Sequence, residues 1–216
     1  LLTGNPRTDQ MWDPPSAEAL AELGITGDFV VWMPTFRRPR AVGAVRVHDD
    51  SPVEEQRAGL AELAAGLRER GLQLVVKPHP MDADRRRWPG AITVDEADLA
   101  AAEVSLYGLL GASSGLVTDY SSVWVDYLLL DRPLAFLVPD RDSYDRALHP
   151  ADVLDWVPGE VVDLAGRPFE EFLADVAADG DLGAPARRAV ADRIGLEQSA
   201  TAADDLVTAL VKVGVL

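Results

Sequence analysis

Apolar positions along this chain fall into short runs and into helical stripes, and the two alternate. The run Phe29–Met33 is uninterrupted, as expected for a strand covered on both faces. Residues 72–76 form a second such strand, residues 91–94 a short one, and Glu160–Val162 an edge strand after Val157, Pro158 and Gly159. Ser16 caps a short helix that reaches Leu23 and stops at Gly24. Ser51, Pro52 and Glu54 supply an N-cap, a first-turn proline and a capping-box acid. Val53, Leu60, Leu63 and Leu67 then recur at helical spacing until Gly71 follows Arg70. Residues 105–110 predict a helix carrying Tyr107, Leu109 and Leu110, and 140–150 a loop or short helix with Tyr144 and His149. Helices are predicted at 169–176, 185–194 and 202–211, the last two rich in alanine.

The organising stretch is 112–140. Gly115–Thr118 reads as a strand, Asp119, Tyr120, Ser121 and Ser122 as a polar turn, 123–130 as an apolar helix closed by Asp131, Arg132 and Pro133, and 134–138 as the next strand. A crossover of this kind makes the two strands parallel and puts the turn at their carboxyl edge, where open α/β sheets bind ligands. Unpaired N–H groups, the positive end of a helix and two hydroxyls meet there, which suits a phosphate. With no internal repeat or low-complexity linker, the pattern predicts one α/β domain over 1–216, a doubly wound, mostly parallel sheet with a helical carboxyl-terminal tail.

Composition narrows the partners. At 216 residues, 48% hydrophobic and 26% charged, the chain can bury a sizeable core. It has no cysteine, so disulfides and thiolate metal sites are excluded. No apolar run approaches the ~20 residues of a spanning helix, and no signal-peptide pattern opens the chain, so a soluble cytoplasmic protein is expected. A net charge of −16 argues against nucleic acid as a partner and requires a local basic pocket for any anionic ligand. The opening Leu1-Leu2-Thr3-Gly4 resembles the tail of a strand, and the chain is expected to be a piece of a longer protein.

Candidate chemistry collects after strands. Residues 3–12 make a Gly/Asn/Pro turn with Arg7 and Asp9, which reads as a surface loop with a local Asx-turn. Pro34 and Thr35 end the first strand, followed by Arg37, Arg38 and Arg40; the last two read as solvated, and Arg37 as either solvated or ligand-facing. Lys77-Pro78-His79-Pro80 ends the second, with a proline restricting the backbone on each side of the imidazole. Lys77 and Lys212 are the only lysines among 20 basic residues. His79 reads either as a turn residue bonded to backbone or as a functional group. His48, beside Asp49 and Asp50, reads as solvated or paired, and Arg85, Arg86 and Arg87 as a solvated charge run. No GxGxxG, P-loop or GxSxG is present, and the three histidines lack metal spacing. Arg7, Thr35, Lys77, His79, Ser121 and Ser122 instead converge on one edge and suit a diphosphate.

GNPRTD at 4–9, WMPTFR at 32–37, KPHP at 77–80 and TDYSSVWVDYLLLDRPLAF at 118–136 resemble, in order and chemical sense, the CDP-glycerol glycerophosphotransferase family, the teichoic acid polymerases and primases. The resemblance implies the carboxyl-terminal, nucleotide-binding half of a GT-B fold. In that family CDP-glycerol donates glycerol phosphate to a poly(glycerol phosphate) or a primed lipid-linked sugar, and CMP leaves. By the motif match Arg7, Pro34, Thr35, Lys77, Pro78, His79, Ser121, Ser122 and Asp126 would line the donor site. Ser121, Ser122 and their helix terminus would hold the diphosphate, His79 would steady phosphoryl or leaving-group charge as the catalytic residue, and Arg7 would add a permanent cation. Asp126, one turn beyond Ser122, would accept a hydrogen bond from a donor hydroxyl, since an unpaired acid in an apolar helix is costly.

The resemblance implies no tightly bound cofactor; CDP-glycerol is the donor substrate. It places the general base, a histidine, in an amino-terminal GT-B domain that this chain lacks, and the lipid-linked acceptor with it. The parent protein is expected at the inner face of the membrane as a peripheral protein, although nothing here is a basic amphipathic helix and the exterior is acidic. Residues 194–207 depart from the aromatic-His then Asp-Gly stretch usual before the family's last helix, so no contact is carried over from that region. A CDP-ribitol or nucleotide-sugar donor, or a non-catalytic nucleotide-binding module, are the alternative expectations.

Overall fold

The computed structural model describes residues 3–35, 40–42, 45–47, 51–80, 88–142, 144, 148, 150–162, 168–177, 182–196 and 199–215, with the backbone alone at 40–42, 45–47 and 51–54. Arg37, Arg38, His48, Arg85, Arg86, Arg87 and His149 lie outside the described residues, as do the side chains of Arg40, Ser51, Pro52, Val53 and Glu54.

A 3-10 helix, Pro6–Trp12, and α1 (Ala17–Glu22) precede β1 (Phe29–Met33). A hairpin, β2 (Arg40–Val42) and β3 (Val45–Val47), leads into α2 (Ser51–Glu69), β4 (Gln73–Val76), β5 (Ile92–Thr93), α3 (Glu96–Ala101) and α4 (Leu106–Ala112). Then come β6 (Gly115–Thr118), α5 (Val123–Tyr127) with a 3-10 turn at Leu128–Leu130, and β7 (Leu134–Leu137). A 3-10 turn at Val153–Asp155, β8 (Glu160–Val162), α6 (Glu170–Ala177), α7 (Ala184–Ile194) and α8 (Ala202–Lys212) complete the chain.

Six strands form one parallel sheet in the order β5-β4-β1-β6-β7-β8, and β2 pairs with β3 separately. The sheet grows outward from β1 in one direction through β4 and β5, and in the other through β6, β7 and β8. This is a doubly wound sheet with its topological switch between β1 and β6.

Successive side chains in a strand point to opposite faces, and the core splits accordingly. Phe29, Val31, Val75, Leu116, Leu134 and Phe136 pack on one face with Leu109 of α4 and Trp124 and Tyr127 of α5. Val30, Trp32, Leu74, Val76, Val117, Ala135 and Leu137 pack on the other with Leu60, Leu63 and Leu67 of α2 and Phe172 of α6. Each fully buried Leu, Val or Phe stabilises this arrangement by about 1.5–3 kcal/mol relative to exposure. The helices that leave β1 and β6 therefore lie on opposite faces, the arrangement in which open α/β sheets form a crevice beyond the two strand ends.

The expected helix starts have local causes. Ser16 Oγ accepts the Ala19 N–H at 3.2 Å, and Ser105 Oγ accepts the Gly108 N–H at 2.9 Å. Gly24 and Gly71 take φ of +83° and +77°, which lets each helix end sharply. The helix expected over 123–130 is shorter: α5 tightens into the 3-10 turn because Asp131 sits at φ 48°, a left-handed stop, and Pro133 cannot continue the ladder. Helix α3, not anticipated, starts from a reciprocal capping box between Asp95 and Asp98. In 3–12 the expected Asx-turn is present, the Asn5 side chain accepting the Arg7 N–H, but it opens a 3-10 helix, Pro6–Trp12, in place of a loop. Asp9 there accepts the Ala202 and Ala203 N–H groups, each at 2.9 Å, and so ties the start of the chain to the first turn of α8.

Candidate functional site

Met33 pairs in register with Thr118, and Trp32 with both Val76 and Val117, so β4, β1 and β6 end side by side. Thr35 follows the middle strand, while His79 and Ser121 follow its two neighbours. Two strand spacings, about 10 Å, separate the flanking ends. Pro34, Thr35, Pro78, His79 and Ser121 are partly buried along this edge and Ser122 is exposed. Four expected groups are thereby brought to one lip of the sheet: Thr35, His79 and the two serines.

The serine turn is held from beneath by Asp119, a residue 1% exposed. Its carboxylate accepts the Thr35 N–H at 2.9 and 3.0 Å, the Thr35 hydroxyl at 3.0 Å and the Tyr120 N–H at 2.7 Å. Tyr120 in turn donates its hydroxyl to Asp140 at 3.0 Å, beyond the end of β7, and stacks on Tyr144 with centroids 3.5 Å apart. Ser122 is the N-cap residue of α5 but makes no side-chain cap bond, and the Ser121 Oγ accepts the Val123 N–H only at a long 3.4 Å. Because α5 has five residues, attraction for an anion rests on local N–H and hydroxyl donors more than on an extended macrodipole.

One helical turn into α5, Asp126 is buried and paired. Its Oδ2 accepts Arg7 Nη2 at 2.8 Å and the Tyr107 hydroxyl at 2.7 Å. Arg7 also lies over the Tyr107 ring, 5.6 Å from its centroid, with about half of its side chain exposed. Burial first, then the hydrogen bond to Asp126 and its charge, push the Tyr107 phenol well above its ordinary range, so it remains a donor. Arg7 reaches this place because its 3-10 helix packs on α4. The contact is close: a Cβ on Gly111 of α4 would lie 2.2 Å from the Met11 carbonyl oxygen.

Lys77 differs most from its expected place. Its side chain is 2% exposed, and Nζ donates to Glu96 Oε1 at 2.8 Å and to the Pro78 carbonyl at 3.2 Å. Its ammonium is thus compensated by the first turn of α3 and braces the loop that carries His79. A buried cation left without its partner is costly, whereas an apolar replacement of similar length is often tolerated. In urea denaturation Glu96→Ala is expected to lower stability by about 1–3 kcal/mol and Lys77→Met by less; the reverse order would show that the pair does not hold Lys77.

Three residues of this edge receive no role from the motifs, although Asp119 lies inside the TDYSS stretch: Asp119, Tyr107 and Glu96. An acid directly after a strand, where the site needs donors, was the available signal for Asp119. Tyr107 and Glu96 lie 19 residues from their partners in sequence, in elements whose approach only packing decides. Among the described residues no group of three or more His, Cys, Asp or Glu could hold a metal ion, and no helix is long and apolar enough to cross a membrane.

Known proteins share both sequence and fold with this chain. It is 32% identical over 116 residues to a teichoic acid ribitol-phosphate primase of Bacillus spizizenii, covering 53% of this chain and 27% of that protein. It is 29% identical over 150 residues to a teichoic acid glycerol-phosphate primase of Staphylococcus aureus, covering 68% and 34%. A structure of the wall teichoic acid polymerase TagF superposes with a TM-score of 0.55 at 20% identity, over 90% of this chain and 51% of TagF. Another TagF structure, of a variant soaked with CDPG, gives a TM-score of 0.50 with the same coverage. The chain thus spans about half of TagF, its matched segments about a third or less of the two primases, and its fold, a Rossmann-like six-stranded parallel sheet with helices around it, is one it shares with the GT-B protein TagF. Residues 1–212 match the family described as CDP-Glycerol:Poly(glycerophosphate) glycerophosphotransferase, and the chain belongs to that family of teichoic acid primases and polymerases.

Proposed function

We propose that this chain is the donor-binding half of a phosphotransferase that moves glycerol phosphate from CDP-glycerol to a hydroxyl acceptor in wall-polymer synthesis. The observation that carries this reading is the juxtaposition of Thr35, His79, Ser121 and Ser122 at the switch of a doubly wound sheet, with Arg7 reaching Asp126 on the next helix. The family match supports the donor class. Ser121, Ser122 and nearby N–H groups grip the diphosphate, Arg7 adds a cation, and Pro34 and Pro78 shape the crevice wall. Asp126, with Oδ2 engaged by Arg7 and Tyr107, offers Oδ1 to a donor hydroxyl.

In the transfer, an acceptor hydroxyl oxygen bonds to the phosphorus that bears glycerol. The bond from that phosphorus to the bridging oxygen breaks, and the oxygen leaves with CMP. The hydroxyl proton passes to a base outside this chain, in an amino-terminal domain that also holds the lipid-linked poly(glycerol phosphate) or primed disaccharide. His79 steadies the charge that develops on the leaving phosphate. The full-length protein then works as a peripheral protein on the inner face of the membrane, and this chain alone binds the donor without turning it over.

Calorimetry of this chain with CDP-glycerol is expected to give a dissociation constant below about 1 mM, worth about −4 kcal/mol, and weaker binding of CMP. No heat at millimolar ligand would overturn the reading. The ribitol-phosphate primase among the relatives favours one second reading, a CDP-ribitol donor. Parallel titration with the two CDP-polyols separates them by which binds tighter.

A further inference from the structure

We propose that Asp119 is a positioning residue of this site, whose buried carboxylate fastens the turn carrying Ser121 and Ser122 to the loop carrying Thr35; the inference rests on the donor reading of the crevice. The strand ladder explains the need. Its last rung between β1 and β6 is Met33 with Thr118, where the Thr118 hydroxyl also donates to the Met33 carbonyl at 2.7 Å. Along β1 the main chain of Trp32 faces β4, where its carbonyl accepts the Lys77 N–H at 2.9 Å, so after Met33 the next residue to face β6 is Thr35, and its N–H goes to the Asp119 side chain. Asp119 takes over as the fastener. It accepts both donors of Thr35 from one loop and the Tyr120 N–H from the other.

Burying an ionised carboxylate is costly, and an apolar residue of similar volume would often serve packing better. A negative charge beneath an anion site also works against the ligand. What the carboxylate contributes is direction: it fixes two loops that no ladder joins. Tyr120, bonded to Asp140, anchors the same turn towards β7, so the serines are held from both sides. Slack of about 1 Å in such a turn is enough to misplace groups that touch a ligand.

The test uses this chain with Asp119→Ala and Asp119→Asn, read by calorimetry with CDP-glycerol, by thermal melting and by amide exchange without ligand. Alanine is expected to weaken binding by about tenfold to a hundredfold, the range for removing groups that orient ligand-contacting side chains, and to speed exchange at the Thr35 and Tyr120 amides. Asparagine keeps both backbone bonds on its oxygen and turns its nitrogen to the Thr35 hydroxyl. It should bind within about fivefold of the parent, or tighter, because the opposing charge is gone. Equal affinity in parent and Asp119→Ala, with only the melting temperature lowered, overturns the proposal. So does a folded Asp119→Asn that loses binding, and this arm decides if the alanine variant does not fold. Should the parent itself not bind, the donor reading fails, and unchanged exchange at Thr35 and Tyr120 in Asp119→Asn and Asp119→Ala alike overturns the fastening role separately.

Discussion

On the proposed reading, His79→Ala in the full-length protein is expected to lower kcat by about a hundredfold to a thousandfold while KM for CDP-glycerol moves by no more than about threefold. His79 leaves β4 next to the middle strand, and Pro78 and Pro80 restrict the backbone on both sides of it. If the proposed diphosphate binds at this edge, a donor held beside it does most where charge grows, on the phosphate that would depart with CMP. An interaction that strengthens only in the transition state appears in kcat and leaves ground-state affinity nearly untouched. His79→Gln retains a donor and should recover part of the loss. Steady-state kinetics of the three proteins decide: a raised KM with unchanged kcat makes His79 a plain binding group, and unchanged kinetics with a lowered melting temperature make it a turn residue.

Gly111→Ala should destabilise the chain by about 2–3 kcal/mol, a fall of roughly 4–12 °C in Tm. The new Cβ would lie 2.2 Å from the Met11 carbonyl oxygen, and a backbone atom cannot swing away as a side-chain end can. Either α4 or the 3-10 helix must move, which outweighs the about 1 kcal/mol that alanine gains over glycine within a helix. Met11 is 2% exposed and lies one turn of chain beyond Arg7, so the movement is transmitted to the 2.8 Å bond between Arg7 and Asp126. Gly66→Ala in α2 is the contrast. There the Cβ meets the end of the Leu173 side chain at 2.4 Å, which can turn aside, and stability should change by less than about 1 kcal/mol. Urea denaturation of the two variants measures the difference; equal effects would show that the 3-10 helix is not pinned at this contact.

Much of the sheet is legible before folding. Phe29–Met33 and Gly115–Thr118 emerge as strands with the bounds their apolar runs suggest, and the crossover from β6 through α5 to β7 is parallel as its spacing requires. Ser16 and Ser105 cap the helices they precede, because a cap depends on residues three apart. The site is legible only in part. Thr35, His79, Ser121 and Ser122 share an edge because each follows a parallel strand, a matter of local order. Lys77 follows a strand too, yet its ammonium belongs to Glu96, and Asp9 caps α8 from the other end of the chain.

Local periodicity and the chirality of crossovers thus determine from sequence alone that this is a parallel, doubly wound domain with an edge rich in hydroxyls and one imidazole. Which charges remain for a ligand is a tertiary outcome. Arg7 and Asp126 are 119 residues apart, and Thr35 and Asp119 are 84 apart. Pairings over such separations have no period or spacing that marks them; they exist only once packed helices and paired strands set the distances, and burial then obliges each carboxylate to find its donors.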